Sequence, residues 1–250
     1  MKRIIDLIML DVISLQAKKI SIAKVFIAIT VLALVLGMIS PIFLYFMLIS
    51  VTISASLALI DLSDKNEGEM TYAVIPATRK QIVIARYSLI LLVLTIIGSL
   101  SLIIMMVRYA TGCSIFLDDE LSEVLNLKIN DKGIFTVILC LLYAWALIFN
   151  ANALSGFFKK GKKGANSSSL KTVLMLFIAY MILSVVLILE TSLLDVKLLH
   201  SALQVIITLF TSLSVPYNGA LLCIFTIVGA YGFVFYKMAC SVIDYEEREL

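Results

Sequence analysis

The sequence predicts an all-helical membrane protein. It has six transmembrane helices, an N-terminal interfacial helix, a cytoplasmic helix between spans 2 and 3, and a re-entrant outer helix before span 6. Three observations carry that reading. The 250-residue chain is 62% apolar and 15% charged, with a mean hydropathy of +1.08. Ordinary globular chains are about 45–50% apolar and about 25% charged. The apolar residues gather in runs near the ~20 residues needed to cross about 30 Å of hydrocarbon. The basic residues fall mostly on one side once those runs are treated as spans.

Residues 1–19 read as an interfacial helix within one transmembrane domain covering 1–250. Ile4, Ile8, Val12 and Leu15 recur on one helical face with Ile5 alongside. Arg3, Asp6 and Ser14 lie opposite, interrupted by Leu7 and Leu10. Such a stripe suits a helix lying in the inner membrane interface; a plain helical lead-in to the first span accounts for it equally well. Spans follow at 22–39 and 41–60, joined by Ser40-Pro41, so their outer turn is very short. Residues 61–86 form a polar inner loop. Pro76 ends whatever precedes it. Thr78 with Gln81 three residues later is a capping box, so a helix starts there. Arg79 and Lys80 occupy its first turn, then come Ile82, Val83 and Ala85, and it feeds from the membrane surface into a third span at 87–107.

The fourth and fifth spans are expected at 133–158 and 172–189. Between them, residues 159–171 carry Lys159, Lys160, Lys162 and Lys163 and read as a flexible inner linker that meets anionic lipid. Residues 118–127 suit a short outer helix, with Leu121, Val124 and Leu125 on one face. Residues 201–215 are short for a crossing, and they run into the break Pro216-Tyr217-Asn218-Gly219. They read as re-entrant or interfacial on the outer side, before a sixth span at 217–238. A seventh crossing there would put Lys237 and the acidic tail from Asp244 outside.

With both termini inside, the outer basic residues are Arg108, Lys128, Lys132 and Lys197, and all the others of the 20 Lys and Arg lie inside. That bias sets the orientation. The net charge of +3 is too mild to suggest nucleic acid. Cys113, Cys140, Cys223 and Cys240 have no CxxC spacing and lie mostly in or beside apolar runs, so no disulfide framework or metal cluster is expected. His200 cannot build a multi-His site alone.

No phosphate-binding G-x-x-x-x-G-K-[ST] loop, HExxH or G-x-S-x-G occurs in the sequence. Between Lys24 at the inner end of the first span and Glu190 at the outer end of the fifth, the spans hold no Asp, Glu, Arg or His. Ion-coupled carriers keep such groups near the midplane despite a cost of roughly 2.5–3.5 kcal/mol each, so any work against a gradient draws its energy from elsewhere. Ser50, Ser54 and Ala58 make a small-residue stripe on the second span, with Thr52 and Ser56 adjacent. Close helix packing explains it; with Thr30 of the first span, Ser50, Ser54 and Ser56 are also the candidates for a mildly polar substrate path. Asn150 and Asn152 are expected to hydrogen-bond between helices, and Gly229, Ala230 and Gly232 to allow tight packing.

Pro76-Ala-Thr-Arg79-Lys80-Gln-Ile82-Val83-Ile-Ala-Arg86-Tyr87 resembles the Leu-Pro-x-Ser-Arg-x-x-Ile-Val-x-x-Lys-Tyr segment of small bacterial ABC-2 type permeases, the membrane subunits of ABC exporters. Ile75 stands for Leu, Thr78 for Ser and Arg86 for Lys. The topology resembles that family along the whole chain. The resemblance implies that Thr78, Arg79, Lys80, Gln81, Ile82, Val83 and Arg86 form a coupling helix seated in a separate ABC ATPase chain. ATP and Mg would be held by that partner, with no cofactor and no catalytic residue in this chain. It further implies two permease copies with two ATPases in the bacterial plasma membrane, with both termini cytoplasmic. The path would run between the copies, lined mainly by the first, second and fifth spans. Similar small members export amphipathic cytolytic peptides such as the phenol-soluble modulins, and bacteriocins; a lipid-like cargo fits the same apolar path. The other readings are a membrane immunity or sensor protein that sequesters a toxic peptide without transport, and a membrane enzyme, against which the single His and uncharged midplanes argue.

Overall fold

The structure, a computed structural model, describes residues 3–11, 31, 37, 41–64, 78–111, 132–192 and 216–247. Among these the chain is all-helical. Helix α1 covers 3–11, α2 Pro41–Asp64, α3 Arg79–Thr111, α4 Lys132–Ser192 and α5 Pro216–Glu247. Among the described residues three stretches are long and apolar enough to cross a membrane: Arg79–Val107, Thr136–Met175 and Gly219–Glu247. The protein is therefore membrane-embedded. The expected first span, apart from residues 31 and 37, the outer helix at 118–127 and the re-entrant segment at 201–215 lie outside the described residues.

Helix α4 differs most from expectation. An unbroken helix of 61 residues would be about 90 Å long at 1.5 Å per residue, some three times the hydrocarbon thickness. It is a hairpin instead. Lys160 (φ −136°, ψ 16°) and Gly161 (φ 65°, ψ −154°) leave helical geometry. Only glycine enters the Gly161 conformation without strain. Helical geometry resumes at Lys162, so 159–171 is not a flexible linker but a two-residue turn followed by the start of the second limb. Asn152 Nδ2 donates to Thr172 Oγ1 across the hairpin at 3.3 Å, although 20 residues of straight helix would hold them about 30 Å apart. Close approach is possible because Gly156 and Gly164 face one another. A Cβ on either would strike the other's backbone carbonyl.

The first limb of α4 is the hub. Its small residues Ala144, Ala146, Ala151 and Ala153 are all buried and let neighbouring backbones approach closely. Leu44 and Leu48 of α2, Tyr87 and Leu94 of α3, and Ala230 and Val234 of α5 share one apolar core with it. Of the three candidate spans, Thr136–Met175 is the most buried and the one in α5 the least. The remaining face of α5 is bare: Phe225, Val228 and Phe235 are exposed. Ala230 packs in the core as expected, but Gly229 and Gly232 have nothing within 4 Å of a built Cβ, so they point outward rather than packing within the chain.

Helix α1 also differs from its expected face. Leu7 and Asp11 are its buried side chains, whereas Ile5 and Met9 are exposed. Leu7 packs with Ile82 and Ala85 of α3, with Ile4, Ile8 and Leu10 partly covered beside them. The helix is thus held against the start of α3, and its exposed apolar residues suit lipid contact.

Candidate functional site

The expected capping box forms. Gln81 N donates to Thr78 Oγ1 at 3.3 Å, and Thr78 N donates to Gln81 Oε1 at 3.1 Å. Ile82 N then closes the first helical turn on Thr78 O at 3.2 Å. The two side chains satisfy donors that a helix start leaves open. The capped segment is not a separate surface helix. Arg79 to Arg86 form the first turns of α3, which continues without interruption to Thr111. Thirty-three residues make about 50 Å of helix, longer than the ~30 Å of a bilayer's hydrocarbon core.

The segment has two faces. Thr78 and Lys80 are exposed and Gln81 is half-exposed, whereas Ile82, Val83 and Arg86 are buried. Of the seven residues expected to meet a partner, those three instead hold the segment to its own bundle. Arg79 turns towards α5. Its Nη1 donates to the carbonyls of Tyr245 at 3.0 Å and Glu246 at 3.2 Å, and its guanidinium stands 5.6 Å from the Tyr245 ring centroid. The last carbonyls of a helix lack intrahelical donors and carry a partial negative charge. Arg79 satisfies two of them for α5.

Beneath Arg79 lies an aromatic stack. Tyr245 meets Phe158 edge-on at 5.2 Å, Phe158 stacks on Tyr87 at 6.3 Å and meets Phe157 at 5.6 Å. The Arg86 guanidinium lies 5.4 Å from Phe157 and 5.9 Å from Phe158. The Tyr87 hydroxyl donates to Ala151 O at 3.2 Å and bonds Ser241 Oγ at 2.9 Å. Lys159 Nζ sits 3.5 Å from Asp244, a partly exposed pair of little energetic weight. The head of α3, the turn of α4 and the tail of α5 therefore meet at one end of the bundle, where Lys80 and Lys159 to Lys163 also gather. Tyr87→Phe is expected to lower the unfolding free energy by about 1 kcal/mol, read as a reduced melting temperature of the detergent-purified chain.

The expected substrate-path residues are less engaged. Ser50 is exposed, and Ser54 Oγ donates back to Ser50 O at 2.6 Å on its own helix. Thr52 Oγ1 likewise returns to Leu48 O. Thr30 and the side chain of Ser56 lie outside the described residues. The polar groups that the fold does bring together were not singled out from sequence. Thr95 of α3, Tyr143 of α4 and Tyr231 of α5 line a cavity of about 200 Å³ among the helices. Of the two asparagines, Asn152 bridges the limbs as expected, and Asn150 Nδ2 donates to Ala146 O within its own helix at 2.9 Å. The described cysteines Cys140, Cys223 and Cys240 are free thiols.

Comparison of the chain with protein-family models, curated proteins and solved structures returns no match.

Proposed function

We propose that the chain is the permease subunit of an ATP-driven exporter of the ABC-2 type. Two copies and two separate ATPase chains form the working unit in a bacterial plasma membrane. The end of the bundle bearing Thr78, Lys80 and the α4 turn faces the cytoplasm, and the cargo is an amphipathic peptide or a lipid-like molecule. The observation that carries this reading is the placement of Lys80. It stands exposed in the first turn of α3, where the helix dipole disfavours a cation by about 0.3–1 kcal/mol. Arg79 beside it is compensated by the carbonyls at the α5 tail, and the opposite face of the same turns is buried. A rigidly held, capped, basic helix end presented to water suits the acidic rim of a partner that moves it.

The test is co-purification with candidate ABC ATPase chains, followed by ATP hydrolysis in proteoliposomes with candidate peptides. The expected result is a stable complex whose hydrolysis rises with cargo. Lys80→Glu should lower cargo-stimulated hydrolysis at least tenfold without lowering the chain's melting temperature, since an anion suits the first helical turn better than a cation. Charge reversal at Arg79 would also detach the α5 tail, so Lys80 is the cleaner probe. Full stimulation in Lys80→Glu would remove the coupling role. Peptide resistance that survives deletion of every ATPase partner would favour sequestration without transport.

A further inference from the structure

We propose that Thr95, Tyr143 and Tyr231 form a hydrogen-bond-accepting subsite, in a cleft on the membrane-embedded bundle, for an uncharged molecule with an apolar body and a hydroxyl group. The proposal does not depend on the export reading.

The three hydroxyls come from three helices and touch one another. Thr95 Oγ1 and Tyr231 OH are 2.9 Å apart, Tyr143 OH and Tyr231 OH 2.8 Å, and Tyr143 OH and Thr95 Oγ1 3.5 Å. The direction of the protons is set by one further bond. Thr95 Oγ1 lies 2.6 Å from Leu91 O, and a carbonyl only accepts, so the Thr95 proton is committed there. Thr95 must then accept from Tyr231. Tyr231, having given its proton, accepts from Tyr143. The chain runs Tyr143 to Tyr231 to Thr95 to the Leu91 carbonyl, and it uses all three protons.

What remains is acceptor capacity, greatest on the Tyr143 oxygen, which receives no proton in this chain. A hydroxyl oxygen offers two lone pairs, and each donor down the chain polarises the next. The cavity beside it is bounded on its apolar side by Leu48, Leu102, Leu139 and Ile227. Its volume of about 200 Å³ has room for a benzene-sized group, which a closed apolar void of ~150 Å³ takes up, and on its Thr95 side it is open. A cation would lose too much hydration in this position, and an ether or ester oxygen would find no uncommitted proton on the three hydroxyls. An alcohol supplies the missing proton and fills the space with its apolar remainder.

The full chain in lipid nanodiscs is labelled with trifluoromethyl-diazirinyl benzyl alcohol and, separately, with its methyl ether. Labelled residues are mapped by mass spectrometry. The alcohol should label the segments around Thr95, Tyr143 and Tyr231 about fivefold more than the ether does, the factor expected of one hydrogen bond. The double variant Tyr143→Phe, Tyr231→Phe keeps both rings and should bring that ratio to about one. Thr95→Val frees a proton in the pair of tyrosines, so ether labelling should rise while alcohol labelling holds. Equal labelling by the two probes in the unaltered chain overturns the proposal. So does a preference that persists in the double Phe variant, whose fold is checked by its elution and helical circular dichroism.

Discussion

Leucine in place of Gly164 is expected to leave almost no folded chain in the membrane fraction. Gly156 and Gly164 are the contact point of the α4 hairpin, and a Cβ at 164 would meet the Gly156 carbonyl and the Lys160 Cβ. Backbone cannot step aside as a flexible side chain can. Gly164→Ala already forces the limbs apart and should cost about 1–3 kcal/mol, the usual penalty of overpacking. Leucine adds three more carbons at the same place. The limbs could accept it only by losing the packing of Ala165 and Phe158, both completely buried. Gly232 of α5 is the control. Nothing lies within 4 Å of its built Cβ, and alanine there should stabilise the isolated chain by up to about 1 kcal/mol through helix propensity. Melting temperatures of Gly164→Ala and Gly232→Ala in one detergent should therefore move in opposite directions. Movement in the same direction would remove the hairpin contact as described.

Arg86→Ala should be nearly as damaging, lowering stability by about 3 kcal/mol or more. Its guanidinium faces two rings, each desolvated cation–π contact being worth up to about 2 kcal/mol, and truncation leaves a void in a packed site. Asp11 and Arg86 are the acidic and basic side chains buried among the described residues, on helices that share the Leu7, Ile82 and Ala85 cluster. Opposite charges withdrawn from water on adjacent helices should be coupled. The cycle of Asp11→Asn and Arg86→Gln is therefore expected to show a non-additivity of about 0.5–3 kcal/mol in denaturant or thermal unfolding. Strict additivity would separate the two residues. Arg86→Lys keeps the charge but not the planar ring contact and should recover only part of the loss.

Local chemistry was legible in the sequence; the meetings of distant residues were not. Thr78 and Gln81 announce their helix start because both partners of a capping box lie within four residues. The long helices announce themselves through apolar runs, and Asn152 through its position near a span end. The α4 turn was hidden by its composition. Lysines, asparagine and serines at 159–169 read as a solvated linker, while the feature that closes the hairpin, Gly156 opposite Gly164, is a packing relation across a turn. Helix α1 was read from its isoleucines, yet its deepest residues are Leu7 and Asp11, and a buried aspartate leaves no mark in an apolar pattern. Arg79 grips backbone carbonyls, and these carry no sequence signature. The hydroxyl chain needs positions 95, 143 and 231 to converge, and no spacing along the chain encodes that.

The grip of Arg79 on the end of α5 has a mechanical consequence. Two helices far apart in the chain share one fastening at the same end of the bundle, and the aromatic stack leaves little slack beneath it. If a partner moves the helix end at Lys80, as proposed, the displacement has a route a few ångströms long into the tail of α5. The outward face of that helix, with Phe225, Val228 and Phe235, would be the surface that shifts. Whatever rests against those side chains, lipid or a twin molecule, would register the stroke.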